Sequence, residues 1–210
     1  MKIKICGLQR KEDILYANMC MPDYIGFVFA KSRRRVTKEQ AQGLRRELLD
    51  GIIPVGVFVN APADEIAELV RERIIDIAQL HGDETEEYIV RLRSLVPHVK
   101  IIKAVRVACA EDVRGCEETN ADYLLFDAYT GKERGGTGRT FDWELVRGVK
   151  KPYFLAGGVR VENIGNASGM SGLYAVDVSS AVETDGYKDE EKMRTIVQMV
   201  RKMSAERADE

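Results

Sequence analysis

The chain has 210 residues, 45% of them hydrophobic and 31% charged, with 32 basic against 34 acidic side chains for a formal charge of -2. That balance excludes a disordered or collagen-like chain and offers no broad basic face for nucleic acid or an anionic membrane. Four cysteines, Cys6, Cys20, Cys109 and Cys116, and two histidines, His81 and His98, show no paired zinc spacing, so no metal is expected and the thiols read as reduced.

The N-terminus opens on a strand-like run, "KIKIC" at 2–6, instead of a basic region with a long apolar stretch behind it. No later run approaches the roughly 20 residues needed to span a bilayer, so a cytoplasmic protein is expected. Lys4 and Cys6, two apart, share one face of this first strand. Cys6 reads either as a small packed hydrophobe or as a strand-tip thiol. Near Lys4, its pKa would be lowered from about 8.5 so that it accepts a proton. Gly7 follows, and a glycine lets a ligand approach the backbone.

The second run is "YIGFVF" at 24–29, followed by "KSRRRV" at 31–36. A basic loop is ordinarily solvated, but over a barrel mouth one arginine could hold a carboxylate through two parallel hydrogen bonds. "IPVGVFV" at 53–59 precedes a helical pattern, "APADEIAELVRER", with a proline near its start. "IDIAQLH" at 75–81 ends on His81, with Gln79 on the same face. "ETEEYIVRLRSLV" then carries acids in its first turn and arginines later, as a helix dipole favours. His98 falls in a surface loop. "VKIIKAV" at 99–105 and "DYLLFD" at 122–127 come next, the latter ending on Asp127. The stretch "AYTGKERGGTGR" after it is long and glycine-rich, as a mobile covering segment would be. "PYFLAG" at 152–157 and "LYAVDV" at 173–178 complete eight candidate strands, with a weakly periodic helix expected around "RVENIGNASG".

Strands alternating with helical patterns signal parallel βαβ units. No linker or charge run interrupts them, so one α/β domain is expected: a single (β/α)8 TIM barrel over 1–204, with a polar tail at 205–210. An open doubly wound sheet would carry a G-x-G-x-x-G turn after its first strand, and "CGLQRK" lacks it. In a parallel barrel the site lies at the C-terminal strand ends, which selects Cys6, His81, Asp127, Gly157, Gly158 and Asp177. Closure would set strand eight beside strand one, so an inward Lys4 would find its counter-charge in Asp177. Asp127 as a turn cap and Asp177 as a satisfied interior acid are the plain alternatives. "AGGV" and "VSSAVE", with Ser179 and Ser180, occupy the two loops where barrels bind phosphate with a helix N-terminus behind them.

Taken together, "KICG", "GFVF" with "KSRRRV", "VGVFVN", "QLHG", "LFDA", "GGTGRTFDW", "LAGGV" and "VDVSSAVE" resemble the phosphoribosylanthranilate isomerases of tryptophan biosynthesis, over about residues 2–185. The resemblance implies an Amadori rearrangement of N-(5-phosphoribosyl)anthranilate to 1-(2-carboxyphenylamino)-1-deoxyribulose 5-phosphate, with Cys6 as general base and Asp127 as general acid. An acid in an apolar setting such as "YLLF" keeps a proton to deliver to the ring oxygen, and the iminium so formed acidifies C2 enough for a thiolate. The resemblance also implies substrate binding by Arg34, flanked by Arg33 and Arg35, and by His81 and Asp177, and phosphate binding by Gly157, Gly158, Ser179 and Ser180. It implies no cofactor and a phosphorylated small-molecule substrate for a monomer or homodimer. Two rivals are a histidine-pathway aminoaldose isomerase, which would carry acids where this chain has Cys6 and "KAVRV", and a sugar-phosphate sensor without catalysis.

Overall fold

The computed structural model describes residues 1–128 and 141–206. The strands β1 (Lys2–Cys6), β2 (Tyr24–Val28), β3 (Ile53–Phe58), β4 (Ile77–Leu80), β5 (Lys100–Val107), β6 (Tyr123–Ala128), β7 (Tyr153–Leu155) and β8 (Leu173–Val178) follow one another around a closed barrel. β1 pairs in parallel with both β2 and β8, which removes the open sheet from consideration. A two-stranded hairpin, β9 (Glu183–Thr184) with β10 (Tyr187–Lys188), follows β8.

Parallel strands covered by helices are buried on both faces, which is why their runs are almost continuously apolar. Outward-facing Ile3, Ile5, Ile25, Phe27, Leu124 and Phe126 share the outer core with helical Ile14, Leu44, Ile66, Ile89 and Ile196. Tyr24, Val55, Ile77, Ile102, Ala104, Leu125, Phe154 and Ala175 fill the barrel itself.

The helices are α1 (Lys11–Cys20), α2 (Lys38–Glu47), α3 (Ala63–Arg71), α4 (Glu86–Leu95), α5 (Ala110–Val113) and α6 (Glu190–Glu206). Thr37 and Gln40 form a reciprocal capping box at the start of α2, and Thr85 caps α4 by accepting from the Tyr88 amide. The layer thins after β5, where α5 is a single turn. Among the described residues, short 3-10 turns follow at Cys116–Glu118, Trp143–Val146 and Ile164–Ala167. The helix expected around "RVENIGNASG" is thus one 3-10 turn, because Gly165, Asn166 and Ser168 supply no sustained apolar stripe. Cys109 is exposed at the head of α5. No helix among the described residues is long and apolar enough to cross a membrane.

Side chains inside the barrel stack in layers. At the N-terminal mouth Tyr24, Tyr123, Tyr174 and Phe154 close the floor, with the Tyr24 and Tyr174 hydroxyls 2.7 Å apart. Lys2 Nζ rides over two of these rings, 5.6 and 5.3 Å from the centroids of Tyr24 and Tyr174. Beyond this floor the interior side chains turn polar: Lys4 meets Asp177, and Gln79 meets His81. β5 runs to Val107, two residues past its expected end, which places Arg106 on the strand opposite Asp127.

Candidate active site

Closure of β8 on β1 aligns Lys4 with Asp177 in register, and Lys4 Nζ donates to Asp177 Oδ2 at 2.8 Å. The counter-charge expected for Lys4 is therefore in place. Lys4 is 0% exposed. Burial alone would pull its pKa down, but Asp177 and Cys6 outweigh that and hold it above the ordinary value. Burial pushes the Asp177 carboxyl up against the pull of Lys4, and the neighbouring Asp127 charge adds to the rise. The other carboxylate oxygen, Asp177 Oδ1, is buried and finds no hydrogen-bond donor among the described residues.

Cys6 sits at the end of β1, partly exposed and facing Gly26 of β2. Burial raises its pKa above the ordinary thiol value and outweighs the attraction of Lys4, while Asp177 raises it further. The lowered pKa expected from a nearby lysine is thus corrected. Dehydration of the buried sulfur is the largest influence and exceeds the pull of Lys4 and Lys188, while Asp177, 2.8 Å from Lys4 Nζ, opposes that pull. Room for the thiol depends on the neighbour having no side chain: a Cβ on Gly26 would stand 2.7 Å from Cys6 Sγ. Gly26→Ala should therefore displace the sulfur and cost about 1–3 kcal/mol of stability, as overpacking does. Urea unfolding together with the alkylation rate of Cys6 would check it; wild-type values for both would contradict it.

Across the mouth, β6 delivers Asp127. Its Oδ1 accepts from the Ala128 amide at 2.9 Å, and its Oδ2 lies 3.3 Å from His81 Nε2. His81 follows β4, and its Nδ1 is 2.8 Å from the Gln79 side-chain amide nitrogen. An amide donating to Nδ1 leaves the ring hydrogen on Nε2, the atom that faces Asp127. Gln79 at 1%, His81 at 8% and Asp127 at 6% exposure make this a line of buried polar groups. The Nε2–H so placed faces Asp127 Oδ2 as a donor and favours its carboxylate form, although among the described residues it completes no hydrogen bond.

The third group lies over β8 and β1. Of Arg33, Arg34 and Arg35, only Arg34 is buried; its stem packs on Gly7, where a Cβ would collide with the Arg34 Cδ. Gly7 has φ +86°, a conformation that glycine adopts freely. Arg34 makes a bidentate pair with Glu183, Nε to Oε1 at 2.6 Å and Nη2 to Oε2 at 2.9 Å. Arg33 Nη2 and Lys188 Nζ also reach Glu183, each at 2.7 Å. Burial pushes Glu183 up, but Arg34 and Lys188 hold its carboxyl below the usual range. Burial depresses Lys188 more than Glu183 restores it. Three cations around one carboxylate leave a net positive region beside the loop after β8.

In that loop Ser179 Oγ donates to the Cys6 carbonyl at 3.0 Å, and Lys188 donates to the Ser179 carbonyl at 3.0 Å. Ser180 opens a three-residue 3-10 turn, Ser180–Val182. Gly157 and Gly158, after β7, have φ +70° and +76°, and a Cβ on Gly157 would meet the Ala128 amide nitrogen at 2.6 Å. The expected helix N-terminus behind these loops is corrected: among the described residues both strands lead into single 3-10 turns, too short to carry a macrodipole. Glu183 and Lys188 escaped the sequence reading. Glu183 stands in the quoted "VDVSSAVE", but only the hairpin that folds Lys188 back under Ser179 shows what either does. Apart from Ala128, the glycine-rich stretch 128–139 lies outside the described residues.

The family model for N-(5'phosphoribosyl)anthranilate (PRA) isomerase matches residues 3–199. An N-(5'-phosphoribosyl)anthranilate isomerase of Acetivibrio thermocellus is 46% identical over 207 residues, covering 95% of each chain. The crystal structure of phosphoribosyl anthranilate isomerase from Thermotoga maritima is similar with a TM-score of 0.85 and 31% identity, over 96% of this chain and 98% of that one. A structure of phosphoribosyl anthranilate isomerase in complex with reduced 1-(o-carboxyphenylamino)-1-deoxyribulose 5-phosphate is similar with a TM-score of 0.81 and 30% identity, over 96% and 98% of the two chains.

Proposed function

The chain belongs to the N-(5'-phosphoribosyl)anthranilate isomerase family and isomerises that aminoaldose in tryptophan biosynthesis, and from that premise we propose that Cys6 is its general base and Asp127 its general acid. Asp127 gives a proton to the furanose oxygen as the bond from C1 to the ring oxygen breaks, and the nitrogen lone pair closes an iminium. Cys6, as thiolate, takes the hydrogen from C2; the electron pair flows to nitrogen and yields an enolamine, which ketonises to the aminoketose. Atoms balance with no external oxidant or reductant.

One observation carries this reading. The thiol ends β1, the carboxyl ends β6, both on the interior face, and the buried Lys4–Asp177 pair couples electrostatically to each of them. Asp177 Oδ1, buried without a donor, is suited to accept a sugar hydroxyl. Gly157, Gly158, Ser179 and Ser180 hold the phosphate by backbone amides and hydroxyls, helped by the positive region of Arg33, Arg34 and Lys188. Arg34 turns its remaining Nη1 edge to the ring carboxylate, and His81 keeps Asp127 in place. With four free cysteines, we place the enzyme in the cytoplasm.

The test is growth of a tryptophan auxotroph that lacks the isomerase step. The wild-type gene should restore growth without tryptophan, and Cys6→Ala or Asp127→Asn should not. Rescue by both variants at equal expression would remove the proposed acid and base, while no rescue by the wild type would remove the isomerase reading.

A further inference from the structure

We propose that Arg106, at the C-terminal end of β5, is a second cationic contact for the ring carboxylate of the substrate and a determinant of specificity for it; this rests on the isomerase reading above. Ile102 and Ala104 of the same strand line the barrel interior. The two-residue repeat of a strand therefore carries Arg106 to the interior side of the mouth, one layer higher. There it is the register partner of Asp127, the proposed acid.

In an eight-membered ring β7 and β8 stand opposite β3 and β4, β5 is the next strand round from β4, and β5 itself faces β1. A phosphate held by the loops after β7 and β8, with the pentose between Cys6 on β1 and Asp127 on β6, leaves the aromatic ring on the part of the mouth that Arg106 borders. Of the other cations on that strand, Lys100 is paired with Asp122 at 2.8 Å, and Lys103 is committed to the Gly82 carbonyl at 2.9 Å and Glu84 Oε2 at 3.1 Å. Arg34 approaches from the far side, where Glu183 fixes it. A ring carboxylate standing between β1 and β5, which face each other across the mouth, would thus meet one guanidinium from each side.

Arg106 is held ready. Its Nη2 donates to Asp83 Oδ1 at 2.8 Å, and Asn60 Nδ2 donates to the other oxygen of Asp83 at 3.3 Å. The Arg106 side chain is 28% exposed and that of Asp83 60%. A pair that open to water is worth little, so a ligand carboxylate can take the place of Asp83 at small cost. The same fork geometry then serves the substrate.

The experiment measures binding by calorimetry of two stable compounds, reduced 1-(2-carboxyphenylamino)-1-deoxyribulose 5-phosphate and the same compound without its ring carboxylate. Arg106→Met should weaken the first by about 10- to 100-fold, the range for a charged hydrogen bond, and the second by less than about threefold. Arg106→Lys should recover part of the loss, and KM should rise more than kcat falls. Arg106→Gln, which can still donate to Asp83, keeps the test open should the methionine variant not fold. Equal loss on both compounds, as a purely structural role would give, or no loss on either, overturns the proposal. Wild-type protein that binds neither compound would overturn the site reading beneath it.

Discussion

Cys6→Ala should lower kcat by about 10²- to 10⁴-fold, the usual contribution of a positioned acid or base, while KM changes little. Asp127→Asn should do the same, and the double variant should lose far less than the product of the two losses, since acid and base act on one rearrangement. Fluorescence-followed conversion of N-(5-phosphoribosyl)anthranilate would measure all three. The pH dependence carries a sign of its own. The base works as thiolate, and burial holds the Cys6 pKa above the ordinary thiol value. The wild-type kcat/KM should follow a bell, since the acid must be protonated while the base is ionised; in Asp127→Asn, which has no acid limb, the residual kcat/KM should keep rising with pH through about 8.5, where an ordinary thiol is half ionised, and beyond. A plateau near neutral pH in that variant would mean that Cys6 is not the titrating base. A Cys6→Ala enzyme with wild-type kcat would mean that it is no base at all.

The largest effect on stability is expected at the Lys4–Asp177 pair. Lys4→Met or Asp177→Leu alone leaves one buried charge without its partner, and each should cost about 3–5 kcal/mol in urea unfolding. The combined Lys4→Met/Asp177→Leu protein should recover most of that cost, because an apolar pair of similar volume escapes the desolvation of two ions. The double variant should nevertheless remain a poor enzyme, since the electrostatic link between Cys6 and Asp127 is gone. Single variants within about 1 kcal/mol of the wild type would show that water reaches the pair and that the barrel interior is less dry than its packing implies.

Much of this molecule is legible from residue order because strands and their tips obey a local rule. Alternation sends every second side chain inward, so Lys4 with Cys6 and Gln79 with His81 could be assigned to one face from spacing alone. The Lys4–Asp177 contact followed from counting eight strands and closing the ring, since a buried ammonium requires a counter-charge. The helical layer after β5 and after β7 is less legible: "RVENIGNASG" and the segments around Cys109 and Cys116 have no sustained apolar period, so packing on the barrel decides their short turns.

The sequence by itself determined the closed parallel barrel, the inward facing of the strand-end groups and the supply of one thiol and one carboxyl at opposite tips, because each depends on a two-residue repeat and on strand number. Only the tertiary structure decided the charge state and partnership of those groups. The raised pKa of Cys6, the choice of Arg34 over Arg33 and Arg35, its bond to Glu183, and Lys188 beneath Ser179 all depend on distance and on the exclusion of water. Coulomb energy and dehydration are set by ångströms between residues far apart along the chain, and no spacing in a linear sequence encodes them.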